Sequence, residues 1–387
     1  MSYDFDSVIE RRGTDSIKWN VGEGELPMWV ADMDFKTAPE ITEAILYRAE
    51  HGVYGYNEVP DIWYDSYIGW WARRHDLTMK KDWLVFCTGV VPAISSAVRK
   101  LTTPGENVLI QTPVYNVFFN SILNNGCRVV ENPLVFEDGE YRMDLDDLEK
   151  KLSDPQTNLM ILCNPHNPVG KIWDKKTLAS VGKVAARCGV TVISDEIHCD
   201  LTTPGCDYVP FASASDICRE NCITSIAPTK AFNLAGLQTA AVCVPDGRLR
   251  HKITRALNTD EVAEPGTFAV TAAVAAFERG EAWLDELREY LYGNRKAACD
   301  FIRERIPSLV PVDGNATYLL WVNVAGTGLS GKQFAAGLRE KTGLFVTPGA
   351  AYGAAGRDFF RLNFACPRSV LEDGLGRLEQ FANSIKE

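Results

Sequence analysis

The 387-residue sequence has no long apolar run, no excess of basic residues and no Cys-x-x-Cys pair. A membrane span needs an uninterrupted apolar stretch of roughly 18 residues or more, so insertion into a bilayer is excluded. The 40 basic and 51 acidic residues give a net charge of −11, which disfavours contact with the phosphate backbone of a nucleic acid. The composition therefore predicts neither a membrane protein nor a nucleic-acid-binding protein.

The cysteines are numerous but irregularly placed. There are 11, an odd number, without the paired spacing of a disulfide framework or a zinc site. We therefore predict buried reduced thiols and no metal ligands. The first residues, MSYDFDSVIERRGTDS, carry charges where a signal peptide requires an apolar segment, so we expect a cytoplasmic protein.

Short apolar runs alternate with helical patterns through the middle of the chain. We predict buried strands near 84–87, 107–110, 159–162, 190–193, 223–226 and 240–244. Helical patterns at 91–101, 115–124 and 174–188 lie between them. This alternation is typical of a mostly parallel sheet covered by helices on both faces.

The pattern changes after Pro265, which suggests a second domain. A long helix is predicted at 281–306, a strand at 318–324, and helices at 331–341 and 369–385. No internal repeat or Pro-Ser linker marks the boundary. The first 48 residues have too little periodic apolar pattern for a core of their own and should pack on other parts. We predict a large domain over 49–280 and a small domain formed by 1–48 and 281–387.

One segment resembles a nucleotide-binding loop only superficially. Gly326–Lys332 has the Gly-x4-Gly-Lys spacing, but Gln333 follows where a P-loop needs a Ser or Thr hydroxyl for magnesium. We interpret the segment as a surface turn at the start of a helix.

Four polar segments follow predicted strands, where open α/β sheets bind their ligands. They are Thr88–Pro92, Asn164–Gly170, Asp195–His198 and Ala227–Gly236. The first opens a helix, whose free N–H groups can bind a phosphate, although an ordinary strand-helix turn explains it equally well. Likewise, the second could be a structural turn, the third a solvated strand end, and Lys230 in the fourth a lysine extending to the surface.

In combination, these segments resemble the fold-type I enzymes of the class I/II aminotransferase superfamily, which use pyridoxal 5′-phosphate (PLP). The matching residues are Asn167 in HNP-x-G, Asp195 in SDE-x-H and Lys230 in TK-x-F-x-x-x-G. Segments 29–35, 54–56 and 361–368 further resemble the cystathionine β-lyase, or C-S lyase, branch. The resemblance covers nearly the whole chain. It implies an α/β PLP-dependent transferase-like fold, with a mostly parallel central sheet between helices and a smaller α+β domain.

The resemblance also implies the catalytic residues. Lys230 would bind PLP covalently and then remove the proton from the substrate Cα. Asp195 would keep the pyridine nitrogen protonated, because the ring accepts electrons only in that state. Tyr115 would stack on the face of the ring.

The remaining cofactor contacts follow from the same resemblance. Asn167 and His198 would contact the 3′ oxygen, and His198 occupies a position where many aminotransferases carry tyrosine. Ala227 and Gln238 depart from the aminotransferase pattern, which has serine and a phosphate-pairing arginine there. The predicted phosphate ligands are Gly89, Val90, Val91, Thr229 and Tyr56.

The predicted substrate contacts are Arg361, Ala31 and Tyr56. The resemblance assigns to Arg361 the bidentate contact with the α-carboxylate, a geometry that lysine cannot supply. Tyr56 would reach the site of the neighbouring subunit. A homodimer with shared active sites is therefore expected.

The resemblance implies a PLP-dependent β-lyase that cleaves cystathionine- or cysteine-type thioether amino acids to pyruvate, ammonia and a thiol. Two alternatives stay open at this point. One is an aminotransferase, in which the proton returns to the cofactor and no β-substituent leaves. The other is a regulatory protein with the PLP fold, which the joint presence of Lys230, Asp195 and Arg361 disfavours.

Overall fold

The computed structural model describes residues 2–385. The strands are β1 (Leu26–Pro27), β2 (Leu84–Cys87), β3 (Asn107–Ile110), β4 (Arg128–Glu131), β5 (Val135–Glu137), β6 (Glu140–Arg142), β7 (Thr157–Cys163), β8 (Thr191–Asp195), β9 (Cys222–Ile226), β10 (Ala240–Cys243), β11 (Val310–Pro311), β12 (Leu319–Asn323), β13 (Leu344–Phe345), β14 (Thr347–Pro348) and β15 (Phe359–Asn363). The helices are α1 (Pro39–Glu50), α2 (Asp61–His75), α3 (Val90–Leu101), α4 (Val117–Leu123), α5 (Leu145–Leu152), α6 (Lys175–Arg187), α7 (Phe211–Ala214), α8 (Asp216–Glu220), α9 (Gly247–Thr259), α10 (Thr267–Arg279), α11 (Glu281–Arg305), α12 (Gly331–Thr342) and α13 (Arg368–Ser384).

A seven-stranded sheet with the order β2-β10-β9-β8-β7-β3-β4 forms the centre of the described chain. The β9-β8-β7-β3-β4 pairs are all parallel, whereas β10 is antiparallel to both of its neighbours. The predicted mostly parallel sheet is therefore confirmed. The edge strand β4 escaped prediction because it is short, partly exposed and begins at an arginine.

The continuous apolar runs reflect burial on both faces of this sheet. Along β3, Val108 and Ile110 pack into the core that contains α3, α4 and α9. Leu109, between them, packs into the larger core that contains α6. Alternate side chains point to opposite faces of a strand, so only a sheet covered on both sides makes every position apolar. No helix within residues 2–385 has the length and apolarity to cross a membrane.

The C-terminal part contains a four-stranded antiparallel sheet with the order β11-β12-β15-β14. The N-terminal segment joins it, because β1 pairs with β13 and the Asp34 N–H donates to the Ala365 carbonyl at 2.9 Å. In contrast, α1 packs against α10. The division of the chain into domains at residues 48 and 280 stays a prediction.

Helix α12 begins where the sequence mimics a nucleotide-binding loop. Ser330 caps this helix by accepting from the Gln333 N–H at 3.3 Å, and the Gln333 side chain accepts from the Ser330 N–H at 3.0 Å. This reciprocal pair is a capping box. Gln333 therefore has a local role in starting the helix.

Candidate active site

A cavity of about 310 Å³ lies at the ends of the central strands. Ten of the twelve predicted site residues line it, namely Ala31, Gly89, Val90, Val91, Tyr115, Asn167, Asp195, His198, Thr229 and Lys230. Strands β7, β8 and β9 are parallel, so their carboxyl ends bring residues distant in sequence to one edge of the sheet. Cys163, Ile197, Ala235 and Gln238 also line the cavity but were not predicted as ligands.

The N-terminus of α3 forms one wall of the cavity. Gly89 is the N-cap residue, and no side chain caps the helix. The first backbone N–H groups of a helix lack partners within it and carry partial positive charge. An anionic group can therefore bind at Val90 and Val91.

Asp195 is the last residue of β8 and is 4% exposed. Its Oδ1 accepts from the Ile197 N–H at 3.1 Å, and no cation lies within 4.0 Å of it among residues 2–385. Burial raises the pKa of this carboxyl to about 6, although the hydrogen bond from Ile197 and the positive charge of Lys230 both act in the opposite direction. The site thus holds a carboxylate that lacks a cationic partner.

Lys230 lies four residues after β9 and contacts the N-terminal segment. Its Nζ donates to the Ala31 carbonyl at 2.6 Å. Burial and the positive charge of Arg361 together lower the pKa of the amine to about 8, against the attraction of Asp32 and Asp195. A substantial fraction of this amine is therefore neutral near pH 8 and can act as a nucleophile or base.

His198, three residues after Asp195, is buried and uncharged. Burial, together with the charges of Lys230 and Arg361, lowers its pKa to about 3. Its Nδ1 has no hydrogen-bond partner in the described chain. Because a buried polar atom is costly without a partner, this nitrogen is available to a bound group.

Tyr115 precedes α4 and keeps its phenol protonated. Burial raises the pKa of this phenol to about 12, and the negative charge of Asp195 acts in the same direction. The neutral ring presents an apolar face at the cavity, which suits stacking.

Arg361, in the middle of β15, is 5% exposed. Its Nη1 donates to Asn167 Oδ1 at 3.1 Å, and its Nη2 donates to the Trp29 carbonyl at 2.9 Å. Arg361 does not line the cavity itself but adjoins it through Asn167. Asn167 therefore links Arg361 of the four-stranded sheet to the edge of the seven-stranded sheet.

Tyr56 lies apart from these residues. It is located between α1 and α2, and its side chain is fully exposed on its own chain. The structure therefore does not bring it to the cavity of the same chain. Its contribution to a neighbouring subunit stays a prediction.

The sequence reasoning did not identify the residues that hold segment 29–34 over the cavity. Asn363 Nδ2 donates to the carbonyls of Val30 and Asp32, both at 2.6 Å. The Tyr318 hydroxyl donates to the Ala31 carbonyl at 2.9 Å. These partners are about 300 residues apart in sequence, and no local pattern indicates them. Asn363 belonged to a motif singled out above, but without a structural role.

One group of possible metal ligands lies beyond the cavity. His75, Cys199 and Asp200 place their ligand atoms within 4.8 Å of one another. The Asp200 carboxylate already contacts His75 Nε2 at 2.9 Å and accepts from Trp70 Nε1 at 3.0 Å. A hydrogen-bond network accounts for this cluster, and the absence of a metal site stays a prediction.

The cavity fits PLP by the chemistry of its unpartnered groups. The α3 N-terminus suits a phosphate, the buried Asp195 carboxylate suits a protonated pyridine nitrogen, and Lys230 supplies an amine for the aldehyde. His198 Nδ1 and the Asn167 amide remain near the same space for the ring oxygen. Each polar part of the cofactor thus has a complementary group.

Residues 30–378 match the family aminotransferase class I and II. The chain belongs to this family.

Relatives with lyase names match it over almost their whole length. The chain is 41% identical to cystathionine beta-lyase PatB of Bacillus subtilis, with 97% of this chain and 98% of the relative covered. Cystalysin from Treponema denticola, whose crystal structure contains pyridoxal 5′-phosphate, is 31% identical with a TM-score of 0.96, covering 99% and 100% of the chains. A PLP-bound C-S lyase from Staphylococcus hominis is 31% identical with a TM-score of 0.92, covering 98% and 99%.

Proposed function

We propose that this chain is a PLP-dependent carbon-sulfur β-lyase acting on cystathionine- or cysteine-type thioether amino acids. The substrate and one water yield pyruvate, ammonia and a thiol. The observation that carries the proposal is the near-full-length similarity to a cystathionine β-lyase and to C-S lyases. The chain also retains a partly neutral lysine and a buried carboxylate at one cavity, and an arginine that adjoins this cavity through Asn167. The PLP-dependent transferase-like fold and the PLP cofactor expected from the sequence agree with the aminotransferase class I and II family and with the PLP-containing structure of cystalysin.

Bound PLP supplies an electron sink for the pair released when the Cα proton leaves. Lys230 Nζ accepts that proton. The amine suits this task because its lowered pKa leaves it partly unprotonated near neutral pH. Loss of the thiolate from Cβ follows, and a thiolate needs little acid assistance to leave.

Asp195 holds a proton on the pyridine nitrogen through an ion pair. Among residues 2–385 the Asp195 carboxylate has no cationic partner, so an ion pair with the pyridine nitrogen would compensate a buried negative charge. Tyr115 supports the ring face, while Asn167 and His198 contact the ring oxygen. Gly89, Val90, Val91 and Thr229 bind the phosphate.

Arg361 binds the substrate α-carboxylate. It is buried, and its hydrogen bonds within residues 2–385 go only to neutral oxygens of Asn167 and Trp29, so it gains its counter-ion with the substrate. The bidentate contact orients the amino acid so that its Cα proton faces Lys230. Ala31 completes the substrate side of the cavity.

Incubation with cystathionine in the absence of any keto acid tests the lyase assignment against the aminotransferase. A lyase releases pyruvate, ammonia and homocysteine over many turnovers, because each cycle regenerates the starting cofactor. An aminotransferase stops after one turnover per site until a keto acid removes the amino group. Single-turnover behaviour with several good thioether amino acids would therefore replace the lyase by the aminotransferase.

We also propose a homodimer in which Tyr56 completes the partner's phosphate site. Support comes from the apolar side chains exposed around it, with Tyr47 at 80%, Val53 at 62% and Tyr54 at 56% exposure. Mixing Tyr56→Ala and Lys230→Ala proteins tests this arrangement. If sites are shared, a mixed dimer has one intact site and regains activity that neither variant has alone. Mixtures that stay as inactive as the separate variants contradict it.

A cytoplasmic location remains our proposal. The eleven cysteines form no disulfide, and nine are buried, as suits a reducing compartment. Fractionation of the producing cells, with the activity followed in each fraction, tests it.

A further inference from the structure

The Arg361 guanidinium is a buried cation without an anionic partner. No carboxylate lies within 4.0 Å of it in residues 2–385, and its Nε has no hydrogen-bond partner there. Its two hydrogen bonds in that range go to the neutral oxygens of Asn167 and Trp29. A buried charge held only by neutral groups is costly, so another source of negative potential should lie close to it.

Tyr352 provides such a source. The Arg361 Cζ lies 5.0 Å from the centroid of the Tyr352 ring. The face of an aromatic ring carries negative potential and attracts a cation, most strongly where water is excluded. Tyr352 is 1% exposed, so the contact is shielded from solvent.

The Tyr352 ring is held from two directions. It contacts Trp321 of the small sheet edge-on, with 5.5 Å between ring centroids. Its backbone carbonyl accepts from the Val114 N–H at 3.0 Å, next to the cavity residue Tyr115. Gly353 allows this close approach, because its φ is +108° and a Cβ there would lie 2.9 Å from Thr112 Cγ2.

We infer that Tyr352 is a positioning residue, whose ring face holds the Arg361 guanidinium in place for the α-carboxylate of an amino-acid substrate. The inference rests on the carboxylate-binding role proposed for Arg361. Tyr352 itself does not line the cavity and contributes through the arginine. It therefore affects the binding of ligands that carry an α-carboxylate and leaves ligands without one unaffected.

The test compares L-alanine with ethylamine on the PLP-loaded enzyme. The two ligands share the amine that reacts with the cofactor, but only L-alanine carries the carboxylate, and neither has a β-substituent to lose. The dissociation constant of each is measured from the change in the visible absorption of the cofactor. The variants are Tyr352→Phe and the same position carrying pentafluorophenylalanine, which keeps the ring but removes the negative potential of its face.

We expect Tyr352→Phe to bind both ligands nearly as the unaltered protein does. The fluorinated ring should weaken L-alanine binding by about 3- to 30-fold and leave ethylamine binding unchanged. Tyr352→Leu should give the same selective loss and serves if the fluorinated protein does not fold. Equal weakening of both ligands would show a packing role alone and overturn the inference, as would a loss in Tyr352→Phe as large as in the fluorinated variant.

Arg361→Ala separates the two proposals. It should abolish the preference for L-alanine over ethylamine. If that preference survives, the role proposed for Arg361 is wrong and the inference about Tyr352 falls with it. If Arg361→Ala abolishes the preference while the fluorinated ring and Tyr352→Leu leave it intact, only the inference about Tyr352 is wrong.

Discussion

Two groups of cations contact the segment from Trp29 to Asp34, and they differ in their counter-ions. In the N-terminal ion cluster, Lys18 Nζ lies 2.6 Å from Asp34 and 3.6 Å from Asp32, and Arg11 contacts the same two carboxylates. The second group, the cavity cations, consists of Lys230 and Arg361. Lys230 lines the cavity and donates to the Ala31 carbonyl, whereas Arg361 adjoins the cavity and donates to neutral oxygens.

Burial alone therefore does not identify the candidate catalytic lysine, because Lys18 is the more deeply buried of the two and Lys230 is only partly buried. Lys18 is 1% exposed, yet its charge is compensated within the protein and serves to hold the N-terminal segment. The cavity cations lack carboxylate partners, so their charge or their proton is available to a ligand. The presence of carboxylate partners, rather than the degree of burial, therefore distinguishes the structural cations from the candidate catalytic ones.

Lys230→Ala should have the largest effect on activity. Since one amine serves as both the attachment point and the Cα base, kcat should fall by a factor of roughly 10⁴ or more. The visible absorption band of the bound cofactor should shift or disappear. A variant with the same spectrum as the unaltered protein would place the covalent attachment elsewhere.

Lys18→Met should lower the stability of the protein and leave cofactor binding unchanged. Removing one partner of a buried ion cluster leaves carboxylates uncompensated, so we expect the free energy of unfolding to fall by about 3–5 kcal/mol. Denaturant unfolding measures this loss. The visible band of the cofactor should persist in the folded variant. Loss of the band at unchanged stability would contradict the division between the two groups.

Asp195→Asn should retain PLP but react slowly. A neutral amide cannot keep the pyridine nitrogen protonated, so kcat should fall by a factor of about 10² or more. Single-turnover absorption measurements locate the loss in Cα deprotonation. A near-normal kcat would remove Asp195 from the proposed role.

Cofactor loading should depend on pH through the lowered pKa of Lys230. Only the neutral amine attacks the aldehyde, and the lowered pKa of Lys230 makes that form predominate above about pH 8. The rate of PLP incorporation into the cofactor-free protein should therefore rise about tenfold between about pH 7 and 9 and then level off. A lysine with the ordinary pKa of 10.5 would instead gain nearly tenfold per pH unit across this range and would continue to rise until about pH 10.5.

The alternation of strands and helices in the central sheet was predictable because its strands, apart from β4, contain short buried apolar runs. The direction of β10 was not predictable, since Ala240–Cys243 is fully buried like the strands of the same sheet that run parallel to one another. Periodicity reports burial, whereas orientation depends on the connection that precedes the strand. Strand β15 was not predicted from its sequence, because the charged Arg361 interrupts its apolar residues although it is buried in the fold.

The site was predictable where function depends on strand ends. Asp195 and Lys230 follow apolar runs, so their position at one sheet edge follows from the fold class. Tyr318 and Tyr352 resemble any buried aromatic in sequence, and only tertiary contacts with Ala31 and Arg361 distinguish them. The role expected of Arg361 came from resemblance, because neither its spacing nor its neighbours indicate a carboxylate.

The attachment of segment 29–34 to β15 has a consequence for the order of folding. Asn363 bonds to Val30 across 333 positions of the chain, and Arg361 bonds to Trp29 across 332. A growing chain on the ribosome cannot form these contacts until nearly all of it has been synthesised. Contacts between such distant residues are slow to close because of the entropy lost on closing the loop. Segment 29–34 therefore covers the cavity late in folding. The parallel sheet and the loop that carries Lys230 can form before this step.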